Sequence, residues 1–184
     1  MKAKGSFFAG RRTFITGRFG EERWKQFVIT LAKVDPVFAA PILITSLIPI
    51  ESYARFQEAV AKEFFGGDEN SYWEMGEAAA IWALTDGPYA ALARDKSYRG
   101  IIEKLPLVWT MYFTEGKLDV VDEGGKVVTF TITGNGLPHV CVEYAVMGFG
   151  RKALEMVGKK PKSMKRLRGA RDGDGSVVHY EFWL

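Results

Sequence analysis

At Gly116 the sequence changes its period. Before it, from Gly20 to about Glu115, apolar residues recur at helical spacing. After it the chain reads Lys117-Leu118-Asp119-Val120-Val121, then Asp122-Glu123-Gly124-Gly125, then Lys126-Val127-Val128-Thr129-Phe130-Thr131-Ile132. β-Branched runs on either side of Gly-Gly signal a hairpin, because a tight turn between twisted strands needs the left-handed backbone that glycine adopts freely. After Gly134-Asn135-Gly136-Leu137-Pro138, a helical stretch from His139 to Val157 stops at Gly158. Ser163–Ala170 and Val177–Leu184 then bracket Arg171-Asp172-Gly173-Asp174-Gly175-Ser176, a second hairpin signal. Hairpin, helix, hairpin predicts an α+β fold. A helical N-terminal half, 1–115, packs on a four-stranded antiparallel sheet (β-β-α-β-β) with one long C-terminal helix in 116–184, and 1–184 form a single domain.

The helical half is divided by its own punctuation. Trp24, Phe27, Val28 and Leu31 lie at i, i+3, i+4 and i+7 of a helix over Glu21–Lys33 that ends at Asp35-Pro36. Pro36 suits the first turn of the next helix, and Pro41 and Pro49 break the stretch beyond. Ser52–Phe65 carries the stripe Tyr53, Phe56, Val60, Phe64 and stops at Gly66-Gly67. Asn70 or Ser71 caps a helix through Tyr72, Met75, Ala79 and Trp82 that ends at Asp86-Gly87-Pro88. Tyr89–Arg94 and Ser97–Phe113 follow, with Pro106 predicting a kink or a fresh start in the latter.

Composition then excludes several functions. With 184 residues, 47% of them hydrophobic, the chain can bury about 70% of its unfolded surface and needs no disulfide or metal staple. Cys141, His139 and His179 exhaust the soft ligands, so one chain cannot build a four-coordinate zinc site of Cys and His. A net charge of +3 is too weak to draw nucleic acid or membrane by itself. The segment MKAKGSFFAGRRTF lacks the apolar core of a signal peptide, and the longest apolar run, Val37–Ile50, is broken by prolines. The expectation is a cytoplasmic, reduced protein with no transmembrane segment.

Lys4-Gly5 followed by Phe7-Phe8, Phe19-Gly20-Glu21-Glu22-Arg23-Trp24, Trp109 with Tyr112-Phe113 and Glu115-Gly116-Lys117-Leu118, Gly148-Phe149 with Ala153-Leu154-Glu155, and the closing Tyr180-Glu181-Phe182-Trp183 carry a resemblance. The chain resembles a family of about this length expanded as paralogues in myxobacteria. That family lies within the wider group of vinyl-reductase-type small-molecule-binding domains, haem-nitric-oxide (H-NOX) sensor domains and TRAPP vesicle-tethering subunits. The likeness implies a ligand-binding or scaffolding domain used in signalling, with hydrophobic ligands held between helices and sheet.

Each chemical motif has a plain structural reading beside it. A haem sensor needs an axial histidine and polar groups to grip the propionates. His139 and His179 are the candidates for the first. The H-NOX motif Tyr-x-Ser-x-Arg for the second does not occur, since Ser97-Tyr98-Arg99 has the residues in another order. His139 and Cys141 point about 200° apart on a helix and cannot chelate one ion. Cys141 is read as a small buried hydrophobe, the alternative being a thiolate favoured by a nearby helix N-terminus. Asp172-Gly173-Asp174-Gly175-Ser176 starts like a calcium loop, but the acidic position 12 falls on Trp183, so it is a turn. Gly148-x-Gly150 sits inside a helix and reads as close approach to the sheet or a partner helix. No spacing assembles an acid, a base and a nucleophile.

The expected function is therefore non-enzymatic: an apolar or lipid-like small molecule bound between the helical half and the sheet, in a homodimeric signalling domain with no cofactor. Trp82, Trp109, Phe113, His139 and Tyr144 are the expected lining, drawn from a chain that is 14% aromatic. Lys159 to Arg171 hold seven basic residues in thirteen. Among them Lys159, Lys160, Lys162, Lys165, Arg166 and Arg168 form a candidate surface for an acidic protein partner or an anionic surface, or else a solvated edge that blocks strand addition. A TRAPP-like protein-interaction scaffold and a haem-based gas sensor are the alternatives.

Overall fold

A computed structural model describes residues 1–87, 89–93, 95, 97–134 and 136–184. Of the sequence expectations, Pro88 of the Asp86-Gly87-Pro88 stop, Arg94 at the end of the Tyr89–Arg94 helix and Asn135 of the glycine-rich link lie outside the described residues. The chain starts with a strand, β1 (Lys2–Lys4), followed by α1 (Ser6–Phe19), α2 (Glu21–Val34) and a 3-10 turn (Pro36–Ala39). β2 (Leu47–Pro49), α3 (Ile50–Phe65), α4 (Ser71–Thr85), a 3-10 turn (Ala90–Ala93) and α5 (Tyr98–Tyr112) complete the helical half. β3 (Lys117–Glu123), β4 (Val127–Thr133), α6 (Val140–Met156), β5 (Ser163–Arg168) and β6 (Val177–Trp183) follow.

Most helix boundaries follow the local chemistry. Trp24, Phe27 and Leu31 of α2 are buried, and Asp35 ends it. The Asp35 carboxylate accepts from Val37 N and Arg55 Nε, so one acid caps the Pro36–Ala39 turn and ties it to α3. The stripe Tyr53, Phe56, Val60, Phe64 faces the core, and α3 closes on Gly66 at φ +65. Ser97 Oγ accepts from Gly100 N to cap α5, which continues through Pro106 rather than restarting there.

Two N-terminal features were not expected. β1 pairs antiparallel with β2, Ala3 opposite Ile48, and α1 follows at once. In α1 the apolar residues Phe7, Phe8, Phe14, Ile15 and Phe19 alternate with Arg11, Arg12 and Arg18, so no single apolar face announces the helix. β2 is three residues long inside a proline-broken run, too short to give a periodic signal.

The larger sheet is antiparallel in the order β3-β4-β6-β5. Gly124 and Gly125 both take positive φ at the β3–β4 turn. Val178, Tyr180 and Phe182 of β6 and Phe130 and Ile132 of β4 are buried on the face covered by α6. Glycines set how close α6 lies. A Cβ at Gly148 would collide with the Trp73 carbonyl of α4, one at Gly76 of α4 with the Ala145 carbonyl of α6, and one at Gly150 with the Phe130 ring. Gly148 and Gly150 thus bring α6 against a partner helix and against the sheet. β5 is an outer strand, exposed at all six residues, with a bulge between Arg166 and Arg168.

Candidate ligand cavity

A cavity of about 60 Å³ lies where α1, α3, α4, α5 and α6 meet the sheet. Its walls are mostly apolar: Phe7 from α1, Met75 and Ala79 from α4, Leu105, Val108 and Trp109 from α5, Phe130 from β4 and Phe149 from α6. Trp109 and Phe113, two of the five expected lining residues, are in this wall. Their rings meet at 4.5 Å with planes inclined by 37°, and Trp109 Nε1 donates to the Glu115 carbonyl at 3.0 Å, which fixes the indole.

The other three expected residues lie elsewhere. Trp82 packs its ring on Gly10 from the far side of α1 and lines an open surface groove with Phe14 and Ile81. Tyr144 leans on Trp73 at 5.8 Å. His139 is the N-cap of α6: its Nδ1 accepts from Cys141 N at 3.0 Å, and its Nε2 lies 3.1 Å from Glu58 Oε1. These positions have a common reason. Helical spacing gives a residue's phase on its own helix but not which of several neighbouring helices that face meets. His179 alternates with the buried Val178 and Tyr180 on β6 and so belongs to the opposite face of the sheet.

The polar residues of the cavity were missed by the sequence reading. Arg11 of α1 is 5% exposed, and its guanidinium donates from Nη2 to Gln57 Oε1 at 3.2 Å. Arg11 Nε, Gln57 Nε2 and the Tyr112 hydroxyl are buried with no hydrogen-bond partner among the described residues, and all three residues line the cavity. No Asp or Glu stands among its described lining residues. Burial pulls the Arg11 guanidinium down to about 10, so it remains charged at neutral pH, and burial pushes the Tyr53 and Tyr112 phenols beside it up. A signal was present in both helices. Arg11 falls four residues from Phe7 and from Ile15, and Gln57 four from Tyr53, so each interrupts an apolar stripe.

Cys141 is fully buried, and burial, followed by the nearby Glu58, pushes its thiol well above the usual range. This burial favours the small-hydrophobe reading over the thiolate one, because desolvation opposes the favourable helix end.

A second buried charge sits on α6. Glu143, 0% exposed, accepts from Arg166 Nε at 2.6 Å and Nη2 at 3.1 Å, from Ala170 N at 2.7 Å and from the Tyr180 hydroxyl. Arg166 is therefore turned inward, away from the rest of the basic run. Around it, Arg168 faces Asp174 at 3.6 Å, Arg171 pairs with Glu69, Lys162 Nζ donates to the Leu184 carbonyl, and Lys159 lies over the Tyr98 ring. Lys160 and Lys165 are exposed.

No family model matches the sequence, and no curated protein is similar to it in sequence. Solved structures share its fold. An H-NOX protein from S. oneidensis in the Fe(II) ligation state, a triple mutant, superposes with a TM-score of 0.77 at 8% identity, over 98% of this chain and 95% of that one. The unliganded Fe(II) H-NOX protein from K. algicida gives 0.70 at 12% identity, over 98% and 95%. A structure describing how protein-induced porphyrin distortion modulates haem redox potential gives 0.72 at 10%, over 98% and 99%. The chain has the H-NOX fold from end to end.

Proposed function

We propose that this chain is a non-enzymatic sensing domain that binds a small apolar molecule in the cavity between its helices and its sheet. The observation that carries this reading is the cavity itself: an apolar chamber at the junction of five helices and the sheet, with Trp109 and Phe113 in its wall. Ligand sites favour such junctions between packed elements. The likeness to H-NOX structures supports a sensing role, which comes to this chain by analogy of fold.

Haem is the ligand that this likeness suggests, and the described residues do not fit it. Neither histidine reaches the cavity: His139 is held between Cys141 N and Glu58 at the end of α6, and His179 is on the other face of the sheet. The chamber, about 60 Å³, falls far below the roughly 300–1,000 Å³ of sites that hold drug-sized ligands. A Soret band after expression with added haem, lost in His139→Ala, would reinstate the haem reading.

The cavity is tested by native mass spectrometry and solvent extraction of the purified chain, and by thermal unfolding with neutral apolar probes such as toluene and indole. A bound probe at about a hundred times its Kd adds about 2.7 kcal/mol, which for a chain of this size is a rise of roughly 5–10 °C in Tm. An empty extract together with no rise from any probe overturns the proposal.

A further inference from the structure

Arg11 Nε, Gln57 Nε2 and the Tyr112 hydroxyl are orphaned at the wall of one chamber. Two of these are donors with no acceptor capacity, and the third has a proton to give. Their common complement is a group that only accepts. Water satisfies hydrogen bonds but leaves the charge of Arg11 uncompensated, and a buried cation without an anion is costly. The charged groups that face Arg11 do not supply one. Tyr53 from α3, Tyr112 from α5 and Cys141 from α6 are weak acids that burial keeps neutral, and among the described residues its one direct partner is the Gln57 amide.

On this basis, and resting on the cavity reading above, we propose that the ligand is a small apolar monocarboxylate. Its carboxylate is received by Arg11, Gln57 and Tyr112, and its apolar tail by Val108, Trp109 and Phe130. A carboxylate brings two oxygens that accept from a guanidinium and an amide together, and its single charge cancels that of Arg11. A phosphate monoester, carrying about −1.5 to −2, overshoots the one cation among the described lining residues. Size sets the tail. One water needs about 10–15 Å³ of cavity by this measure, so about 60 Å³ admits a few carbons or one ring beyond the head group.

Titration calorimetry of the full chain at pH 7 tests this with benzoate and butyrate against their neutral isosteres benzamide and butyramide, with sodium nitrate as an inorganic control. The carboxylates are expected to bind at least about tenfold more tightly than the amides. Arg11→Met should erase that preference. Tyr112→Phe, which removes one hydroxyl and leaves the ring, should weaken benzoate severalfold and leave benzamide unchanged. Equal binding of acids and amides overturns the head-group assignment and leaves the cavity reading standing. Binding of nitrate with no binding of benzoate or butyrate overturns it in favour of an inorganic anion. Failure of every probe, neutral and charged, together with toluene and indole, overturns both readings.

Discussion

Glu143 and Arg11 are both charged and both buried, one on α6 and one on α1, and the fold provides for them in opposite ways. The Glu143 carboxylate receives a two-pronged guanidinium, a backbone amide and a phenol, so each oxygen has at least two donors. Arg11 receives one neutral amide oxygen, and its Nε is left over. The same core therefore contains a fully satisfied ion and a poorly satisfied one. The chain is able to surround a buried charge with partners, and it has not done so at the cavity. Glu143 works as a fastener between α6, β5 and β6. Arg11 has the character of a receptor group waiting for a partner from outside.

The largest expected effect comes from breaking the satisfied side. Arg166→Met leaves the Glu143 carboxylate buried with only Ala170 N and the Tyr180 hydroxyl. Removing one member of a buried pair costs about 3–5 kcal/mol. The lower end applies, because the Arg166 side chain is 37% exposed and solvent weakens what it contributes. Thermal unfolding followed by circular dichroism should show a fall of roughly 6–12 °C in Tm. A loss below about 1 kcal/mol would mean that the bond to Arg166 contributes little to holding Glu143, and the contrast with Arg11 would shrink to one of geometry.

The two charges were also unequally legible in the sequence. The hairpins, the glycine stops and the stripes of α2 and α3 follow from periodicity and turn chemistry, which are local. The glycines of α6 were read as points of close approach for the same reason, since a glycine inside a helix needs a neighbour to justify it. Arg166, by contrast, reads as one of seven basic residues in a polar run, and nothing local says that it turns inward. Its partner Glu143 is twenty-three residues away, and only the register of β5 on β6, Arg166 opposite Tyr180, puts it on the core face. Arg11 and Gln57 were legible as breaks in apolar stripes, but their meeting is tertiary. α1 and α3 are separated by thirty residues that include α2, a 3-10 turn and β2. Trp82 and Tyr144 went astray for that reason too: Trp82 faces an open groove and Tyr144 leans on Trp73, so neither meets the cavity.

The middle effect has the opposite sign. In the absence of ligand, the double substitution Arg11→Met with Gln57→Leu replaces an underpaired buried cation and its amide by apolar groups of similar length. Exchanging buried ionic groups for well-packed hydrophobic ones raises stability by about 1–4 kcal/mol in favourable cases. Urea unfolding should therefore show a higher midpoint with an unchanged slope, the mark of a change in stability rather than in compactness. A destabilised double variant would make Arg11 a structural residue like Arg166, and the difference between the two charges would disappear.

The smallest effect sharpens the contrast within a single strand. Lys165 and Arg166 are neighbours in β5, both basic and both within the same charged run. Successive strand residues point to opposite faces. Arg166 stands opposite Tyr180, on the side of α6, whereas Lys165 stands opposite Glu181, whose row faces away from α6. Lys165 is exposed on this outer strand, so Lys165→Ser should change stability by no more than about 0.5 kcal/mol. Measured side by side in urea, the two substitutions should thus differ by at least about 2 kcal/mol although they remove the same charge from adjacent positions. Equal losses would show that net charge on the outer strand, rather than the bond to Glu143, is what Arg166 contributes. A large difference assigns that contribution to the buried carboxylate and leaves Lys165 on the solvated face of the strand.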